Sequence, residues 1–289
     1  MFVMKSEIQK AIRNEAKRLL EHKRINLFIG YCEEDNRIVP CFISSPEETE
    51  KLVWNNRCKN NLAVYLRGEK GKIGIIAKGC DSRAILELLK TNQISREDLV
   101  ILGVPCEGMI DEKGKEYENC KVCLHKNPTI YDIFLGEMVD DKSEAKLNST
   151  DDIESLSLEE RFEFWKGQFQ KCIKCMACRN VCPLCFCNEC FVDKNEPKWI
   201  EKPKDISDIF LFHIIKAFHM IGRCVECGEC ERACPVGIPL MKLYHKISRD
   251  VRDMFNYESG MNEGDKLPLV DFDIEKDTLL EKNEGNEKN

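Results

Sequence analysis

The feature that most constrains this chain is a cysteine spacing that occurs twice without deviation. The pattern C-x2-C-x2-C-x3-C-P begins at Cys172 and again at Cys224. Three thiolates spaced in this way come from one tight loop and can bind three irons of one cubane cluster, while the fourth cysteine ligates the neighbouring cluster. This crossed ligation predicts two [4Fe-4S] clusters, a first cluster site of Cys172, Cys175, Cys178 and Cys234 and a second cluster site of Cys224, Cys227, Cys230 and Cys182.

Zinc is the main alternative for clustered cysteines. Zinc sites usually combine two short cysteine or histidine knuckles and do not call for three thiolates in a row plus a proline-terminated fourth. The two motifs are also separated by a long segment that includes the apolar stretch 207–222. This long, helix-containing connection resembles the α-helical ferredoxins, as in the iron–sulfur subunits of heterodisulfide reductase and succinate dehydrogenase. We therefore expect a mostly α-helical dicluster ferredoxin domain.

The overall composition indicates the cellular compartment of the protein and the redox state of its cysteines. The chain has 289 residues, 18 cysteines and a formal net charge of -7, and its N-terminus lacks the apolar core of a secretion signal. Cytosolic thiols are kept reduced, so dense cysteine there favours metal or redox work over a disulfide framework. The acidic charge disfavours nucleic acid, and the most apolar stretch, 209–221, is short and interrupted by polar residues. We expect a cytoplasmic protein with no nucleic-acid partner and no membrane span.

The N-terminal part carries the pattern of a β-α-β unit. The runs 72–80 and 99–106 predict strands, and the segment 82–94 between them predicts a helix. The strands of such a crossover are parallel and end at the same edge of the sheet, where ligands of α/β proteins collect. Because Cys80 and Cys106 close the two predicted strands, we expect their side chains to lie near each other at that edge.

A cysteine knuckle after the second strand completes a third candidate site. The sequence NCKVC supplies Cys120 and Cys123 from the following loop. Four thiolates at one sheet edge suit either a cubane cluster or a four-cysteine zinc site. The alternative is that Cys80 and Cys106 are merely buried small residues, since cysteine without a partner is commonly buried. We call these four cysteines the N-terminal site.

Three more cysteines follow the first motif directly, and their role is open. We call Cys185, Cys187 and Cys190 the cysteine trio. The trio could hold an extra cluster or a zinc ion if a fourth ligand came from Cys58, a histidine or a partner chain. Alternatively, these side chains line the existing clusters and influence their potentials.

Composition divides the chain into four parts. We predict an α/β domain with a small, mostly parallel sheet over 1–136, a linker over 137–156, the helical dicluster ferredoxin domain over 157–250 and a polar tail over 251–289. The sequence contains no dinucleotide-binding or phosphate-binding glycine motif and no nucleophile elbow. No catalytic residue is therefore predicted, and a non-catalytic electron-transfer subunit is favoured over an enzyme.

Several of these motifs resemble those of a known family. The sequences KGCDSRA, from Lys78, and GVPCEG, from Gly103, are the more discriminating, and CKVCLHKNPTIYD and both ferredoxin motifs agree with them. Together they are similar to the beta-subunit family of deazaflavin (coenzyme F420) hydrogenases and formate dehydrogenases, in a dicluster branch of anaerobes, over roughly residues 25–245. The resemblance implies an electron-transfer subunit of a multi-subunit oxidoreductase and favours [4Fe-4S] over zinc at the N-terminal site.

The resemblance also implies partners. Substrate chemistry would lie in other subunits, such as a flavoprotein, a hydrogenase or a formate dehydrogenase, and a soluble ferredoxin is a further redox partner to consider. Members of the wider family bind FAD and reduce a deazaflavin, but here the dicluster domain replaces the usual C-terminal region of the family, which argues against FAD. The alternative function is a flavin-containing catalytic subunit that reduces a deazaflavin or a nicotinamide cofactor.

Overall fold

The N-terminal half forms a sheet with helices, and the C-terminal half is helical. The computed structural model describes residues 2–140, 150–201 and 205–269. The strands are β1 (Leu27–Glu34), β2 (Arg37–Ile43), β3 (Ile73–Ala77), β4 (Leu99–Gly103) and β5 (Ile133–Phe134). The helices are α1 (Phe2–Glu21), α2 (Gly79–Lys90), α3 (Glu118–Lys121), α4 (Asp151–Glu154), α5 (Leu158–Phe169), α6 (Ala177–Asn180), α7 (Ile206–His219), α8 (Glu229–Arg232) and α9 (Leu240–Phe255). None of the described helices is long and apolar enough to cross a membrane.

The sheet is mostly parallel, as predicted. Its strand order is β2-β1-β3-β4-β5, with β1 and β2 antiparallel and the other neighbours parallel. Strand β2 contains Pro40 and lies at the edge, where the missing proline N–H breaks no ladder bond. Every residue of β3 is buried, as a central parallel strand requires. The predicted α/β domain followed by a helical dicluster region is thus confirmed.

The β-α-β unit differs from its prediction in where the helix begins. Strand β3 ends at Ala77 and α2 already begins at Gly79, so Cys80 lies in the first turn of the helix and does not close the strand. A side chain at Gly79 would meet the carbonyl oxygen of His125 at 2.0 Å, so only glycine permits this approach. Cys106 likewise follows β4, which ends at Gly103. Both thiols nevertheless stay at the carboxyl edge of the sheet.

Aromatic rings join α5 to α7. The ring of Phe169 lies 5.0 Å from that of Phe210 and stacks on His213 at 4.4 Å. Phe162 also stacks on Phe210, with ring centroids 5.5 Å apart. Burial is the main cause that lowers the pKa of His213 to about 4, and the positive charge of Lys216 contributes to this decrease. His213 is therefore a neutral core residue at neutral pH.

Regular structure continues past residue 250, where the end of the dicluster domain is predicted. Helix α9 continues to Phe255, and the chain after it packs against α2. The buried carboxylate of Glu87 accepts hydrogen bonds from the hydroxyl of Tyr257 at 2.8 Å and from the backbone N–H of Gly260 at 2.6 Å. A buried carboxylate needs such donors, and these lie about 170 positions away in the sequence, where local composition gives no signal of them. Residues 270–289 of the predicted tail, and 141–149 of the predicted linker, lie outside the described residues.

One buried arginine connects the two halves. Arg83 in α2 is 2% exposed, and its Nε and Nη2 donate to the carbonyl of Ser259 at 2.9 and 2.7 Å. Its Nη1 donates to the carbonyl of Val225, within the second ferredoxin motif, at 3.3 Å. The α/β domain and the dicluster region are thus packed as one body around this side chain.

We predict that Arg83→Met destabilises the whole chain by about 3 kcal/mol, because two buried carbonyls lose their donor. The measurement is urea unfolding of the anaerobically purified chain, followed by tryptophan fluorescence. Arg96→Met is the matched control, since the side chain of Arg96 is 37% exposed in its surface pair with Asp132. This substitution should lower the free energy of unfolding by less than about 1 kcal/mol. Equal effects of the two substitutions would contradict the role given to Arg83.

We predict that His213 makes the chain less stable as the pH falls from neutral. Between the ordinary histidine pKa of 6.5 and the folded value of about 4, the unfolded state binds a proton that the folded state does not. At about pH 5 this difference in proton binding lowers the free energy of unfolding by about 2 kcal/mol. Thermal unfolding of His213→Phe and His213→Gln should lose this part of the pH dependence in both variants. A slope that survives in either would refute the assignment.

Candidate metal centres

The two ferredoxin motifs form loops with the same backbone course. In each, the residues on both sides of the second cysteine adopt left-handed backbone conformations, with φ of 55° at Lys174, 58° at Met176, 54° at Glu226 and 76° at Gly228. This conformation costs a non-glycine residue about 1–2 kcal/mol. A short helix follows each loop, α6 in the first and α8 in the second. The repetition of an unfavourable backbone conformation indicates that both loops are shaped to surround the same kind of bound group.

The first cluster site brings its four predicted cysteines together. Burial is the main cause that raises the pKa of Cys178, to about 11, and the Lys216 charge opposes it. The neighbouring thiols that raise it further are Cys172, Cys234 and Cys175. The fourth thiol of this group thus comes from the other motif, which is the arrangement that crossed ligation predicts. Backbone N–H groups point at two of the sulfurs, from Lys174 to Cys172 and from Ile238 to Cys234, both at 3.4 Å.

The second cluster site shows the reciprocal arrangement. Burial raises the pKa of Cys230 well above its usual value, and the Lys216 charge opposes this. The thiols that raise it further are Cys182, Cys227 and Cys224. All four cysteines line one mostly apolar pocket together with Met220, Met241 and Tyr244. Cys182 therefore reaches from the first motif into the second.

The donor sets fit cubane clusters. Burial raises the pKa of Cys224 to about 12, so a buried thiol of this kind does not ionise at neutral pH by itself. A bound iron ion would supply the positive charge that stabilises the thiolate, with release of the proton. A bound [4Fe-4S] cluster would supply a one-electron acceptor and donor at each site. The protein contributes the sulfur ligands, the N–H donors and the apolar surroundings.

The N-terminal site also gathers its predicted residues. Burial raises the pKa of Cys106 to about 12, and Cys120 and Cys123 add to the increase. The thiol of Cys80 in turn interacts with Cys106. Helix α3 carries Cys120 to this edge of the sheet. The four cysteines that were predicted from separate motifs thus lie around one position.

A buried ion pair holds the edge that carries Cys80. The Nζ of Lys78 donates to the carboxylate of Asp81 at 2.8 Å, to the hydroxyl of Tyr31 at 2.7 Å and to the carbonyl of Asn60 at 2.7 Å. Burial alone would lower the pKa of Lys78, but the Asp81 carboxylate, together with the Tyr31 hydroxyl, raises it overall. The ammonium therefore stays charged at the start of α2, one residue before Gly79.

The N-terminal site lies beside the second cluster site. The thiol of Cys80 interacts with that of Cys227 in the second cluster site, as well as with that of Cys106 in its own site. Asn119, next to Cys120, donates from its amide to the carbonyl of Glu226 at 2.7 Å. Arg232 interacts with Cys227 on one side and Cys120 on the other. The three candidate sites therefore follow one another, with the second cluster site in the middle.

The cysteine trio is only partly gathered. Burial raises the pKa of Cys185 to about 11, and Cys182, Cys190 and Cys187 all interact with it. Cys187 itself is exposed. Cys58 is buried in the α/β domain, where its sulfur accepts from the N–H of Asn55 at 3.3 Å, so it is not placed as the fourth ligand. Within the described ranges, no group of three or more Cys, His, Asp or Glu side chains is arranged to hold a single metal ion.

Two cysteines pair in a way that the sequence did not suggest. Cys32 and Cys41 form a disulfide between β1 and β2, whereas the compartment argument predicts reduced thiols. Antiparallel pairing sets Cys41 opposite Gly30 and Cys32 opposite Val39, which brings the two cysteine side chains within bonding reach. Both residues lie outside the three candidate sites.

Sequence reasoning also missed the cations beside the clusters. Lys216 lines the cavity of the second cluster site, and Arg232 lies between that site and the N-terminal site. The signal was present for Lys216, because a lysine in the middle of a strongly apolar helix must be buried or face a partner. For Arg232 the sequence gives no comparable signal.

Comparisons with known proteins agree with this geometry. Residues 168–238 match the family described as 4Fe-4S dicluster domain. The chain is 27% identical to the F420-dependent formate dehydrogenase subunit beta of Methanocaldococcus jannaschii, over 82% of this chain and 86% of the relative. It is 25% identical to the F420-dependent formate dehydrogenase 1 subunit beta of Methanococcus maripaludis, over 78% of this chain and 83% of that protein. A shorter match, 26% identical, covers 51% of this chain and 27% of a component of the ion-translocating oxidoreductase complex of Buchnera aphidicola.

These matches confirm two expectations. The similarity to beta subunits of deazaflavin-dependent formate dehydrogenases extends over most of the chain. The [4Fe-4S] interpretation of the two ferredoxin motifs agrees with the dicluster domain match, which spans both motifs. The individual ligands, the total number of clusters and the presence of flavin stay predictions.

We predict that crossed ligation pairs the EPR effects of single substitutions. Cys234→Ser should alter the same reduced-cluster signal as Cys172→Ser, and Cys182→Ser the same signal as Cys224→Ser. The physical reason is that each fourth ligand belongs to the other motif. Cys58→Ala, which removes a buried thiol outside the sites, is the control and should leave both signals unchanged. If Cys234→Ser instead affected the signal of Cys224→Ser, each motif would bind its own cluster.

Proposed function

We propose that this chain is the iron–sulfur electron-transfer subunit of an anaerobic, cytoplasmic oxidoreductase complex. The observation that carries the proposal is the succession of three cysteine sites. Cys80 of the N-terminal site interacts with Cys227 of the second cluster site, and Lys216 interacts with cysteines of both ferredoxin sites. Such a succession suits the passage of single electrons from one end of the chain to the other. The similarity to subunits of oxidoreductase complexes supports the same role.

The first cluster site is the proposed end for exchange with a partner. Cys175 is exposed there, and its neighbour Ile173 is 57% exposed. The ligands of the second cluster site are, in contrast, buried or half-buried. An exposed ligand loop allows another redox protein to approach the cluster closely. The opposite end of the succession is the N-terminal site, at the edge of the sheet.

A surface for partner subunits lies on the dicluster region. Helices α5 and α7 pack on each other, yet large apolar side chains of both stay exposed, namely Leu158, Phe162, Leu211, Ile214 and Phe218. Contiguous apolar surface of this kind marks interaction sites in soluble proteins. The proposed partners are a catalytic subunit of the formate dehydrogenase, hydrogenase or flavoprotein type, and a soluble ferredoxin.

One observation favours a second candidate, a flavin-containing subunit that reduces a deazaflavin or a nicotinamide cofactor. A mostly apolar pocket, partly open to solvent, lies beside Cys106 and is lined by Trp54, Pro105 and Met109. The two formate dehydrogenase relatives are F420-dependent by name. This candidate requires bound flavin, and it predicts a yellow protein after anaerobic purification.

We predict about twelve irons per chain and no flavin, because three cubanes contain four irons each. Anaerobic iron, zinc and sulfide analysis of the purified full chain gives the count. About eight irons with one zinc would assign zinc to the N-terminal site, and about sixteen irons would add a cluster at the cysteine trio. A flavin absorbance band, together with reduction of a deazaflavin by the chain alone, would replace the proposed function with the second candidate.

A further inference from the structure

Lys216 is a buried cation in an otherwise apolar helix. Lys216 is 3% exposed, and its Nζ donates a hydrogen bond to the hydroxyl of Tyr244 at 3.0 Å. The ammonium also lies 5.0 Å from the centre of the Tyr244 ring, so helix α9 holds it from one side. Neither contact supplies a negative charge.

The negative groups near Lys216 are cysteine ligands of both clusters. Lys216 interacts with Cys182 and Cys230 of the second cluster site. It also interacts with Cys178 of the first cluster site. The ammonium therefore lies between the two sites and not beside one of them alone.

Because Lys216 has no carboxylate partner among the described residues, the sulfur ligands beside it must compensate its positive charge. In the part of the chain that the structure describes, no Asp or Glu forms an ion pair with Lys216. Removing an ammonium from water costs several kcal/mol unless an anion compensates it. Lys216 instead lines one pocket together with Cys182 and Cys230 of the second cluster site. The compensating charge is thus that of the cluster ligands.

Arg232 provides the contrast. It lies between the second cluster site and the N-terminal site, where it interacts with Cys227 and Cys120. Its Nη2, however, donates to the carboxylate of Glu229 at 2.7 Å. The arginine and the glutamate largely cancel each other at a distance, whereas the charge of Lys216 acts on the clusters without such cancellation.

We propose that Lys216 is a positioned counter-charge shared by the two ferredoxin clusters, and that it raises their reduction potentials. Reduction adds one electron and no proton to a cluster, so the negative charge beside the ammonium increases. A fixed positive charge in a poorly solvated position stabilises this reduced form more than the oxidised form. The inference rests on the proposed cluster ligands and refines the proposed function, because it sets how readily electrons enter the middle of the succession.

The test is an anaerobic redox titration of the full chain with dithionite and mediators, followed by EPR and visible absorbance. Lys216→Met removes the charge at similar length, and Lys216→Arg keeps it. Lys166→Met is the control, because Lys166 lies on the neighbouring α5 in a surface pair with Glu163. At the wild-type midpoint, Lys216→Met should raise the oxidised-to-reduced ratio of the second cluster at least tenfold, which is about 59 mV for one electron. Lys216→Arg and Lys166→Met should change it less than about threefold, or roughly 30 mV.

Each outcome decides the matter. The inference is overturned if Lys216→Met binds full iron with an unchanged ratio, or if Lys166→Met shifts the ratio as far. If Lys216→Met fails to bind iron, Lys216→Arg decides: normal iron content and a near wild-type ratio support a charge requirement, and failure of this variant as well rejects it. A wild-type chain that binds clusters but exchanges no electrons with a partner subunit would instead overturn the proposed function, and the titration would still stand.

Discussion

Buried thiols are the constraint on which the C-terminal half depends. Burial raises the pKa of Cys178, Cys185 and Cys224 to about 11 or 12, so these side chains would ionise at neutral pH only if a bound metal offered a compensating charge. The helices of this region are short around the motifs, with only four residues in α6 and in α8. Cluster binding should therefore order the two motif loops, since each loop is followed by a helix of only four residues.

Cations complete the electrostatic balance, and they come from parts of the chain that are distant in sequence. Lys78 stands at the start of α2 beside the N-terminal site, Arg232 stands between that site and the second cluster site, and Lys216 stands between the two ferredoxin clusters. Two of the three carry their own carboxylate, Asp81 for Lys78 and Glu229 for Arg232. The net charge around the clusters thus differs along the succession, although the sulfur ligands are alike.

The cysteine spacing and the β-α-β pattern predicted most of the fold and of the candidate sites, because both are local patterns with one geometric solution. Contacts between distant segments could not be predicted in this way. Glu87 meets Tyr257 across about 170 positions, and no periodicity near residue 257 indicates that it is buried. The disulfide of Cys32 and Cys41 depends on strand register, which the sequence leaves open. The early start of α2 depends on the close approach of His125 to Gly79.

The hydrogen bonds of Arg83 limit how such a chain can be rearranged in evolution. One side chain on α2 reaches both the second motif, through Val225, and the segment after α9, through Ser259. A ferredoxin of another origin grafted onto the α/β domain would leave Arg83 buried without its acceptors. Exchange of the dicluster region would therefore require either new acceptors for Arg83 or an apolar residue in its place on α2.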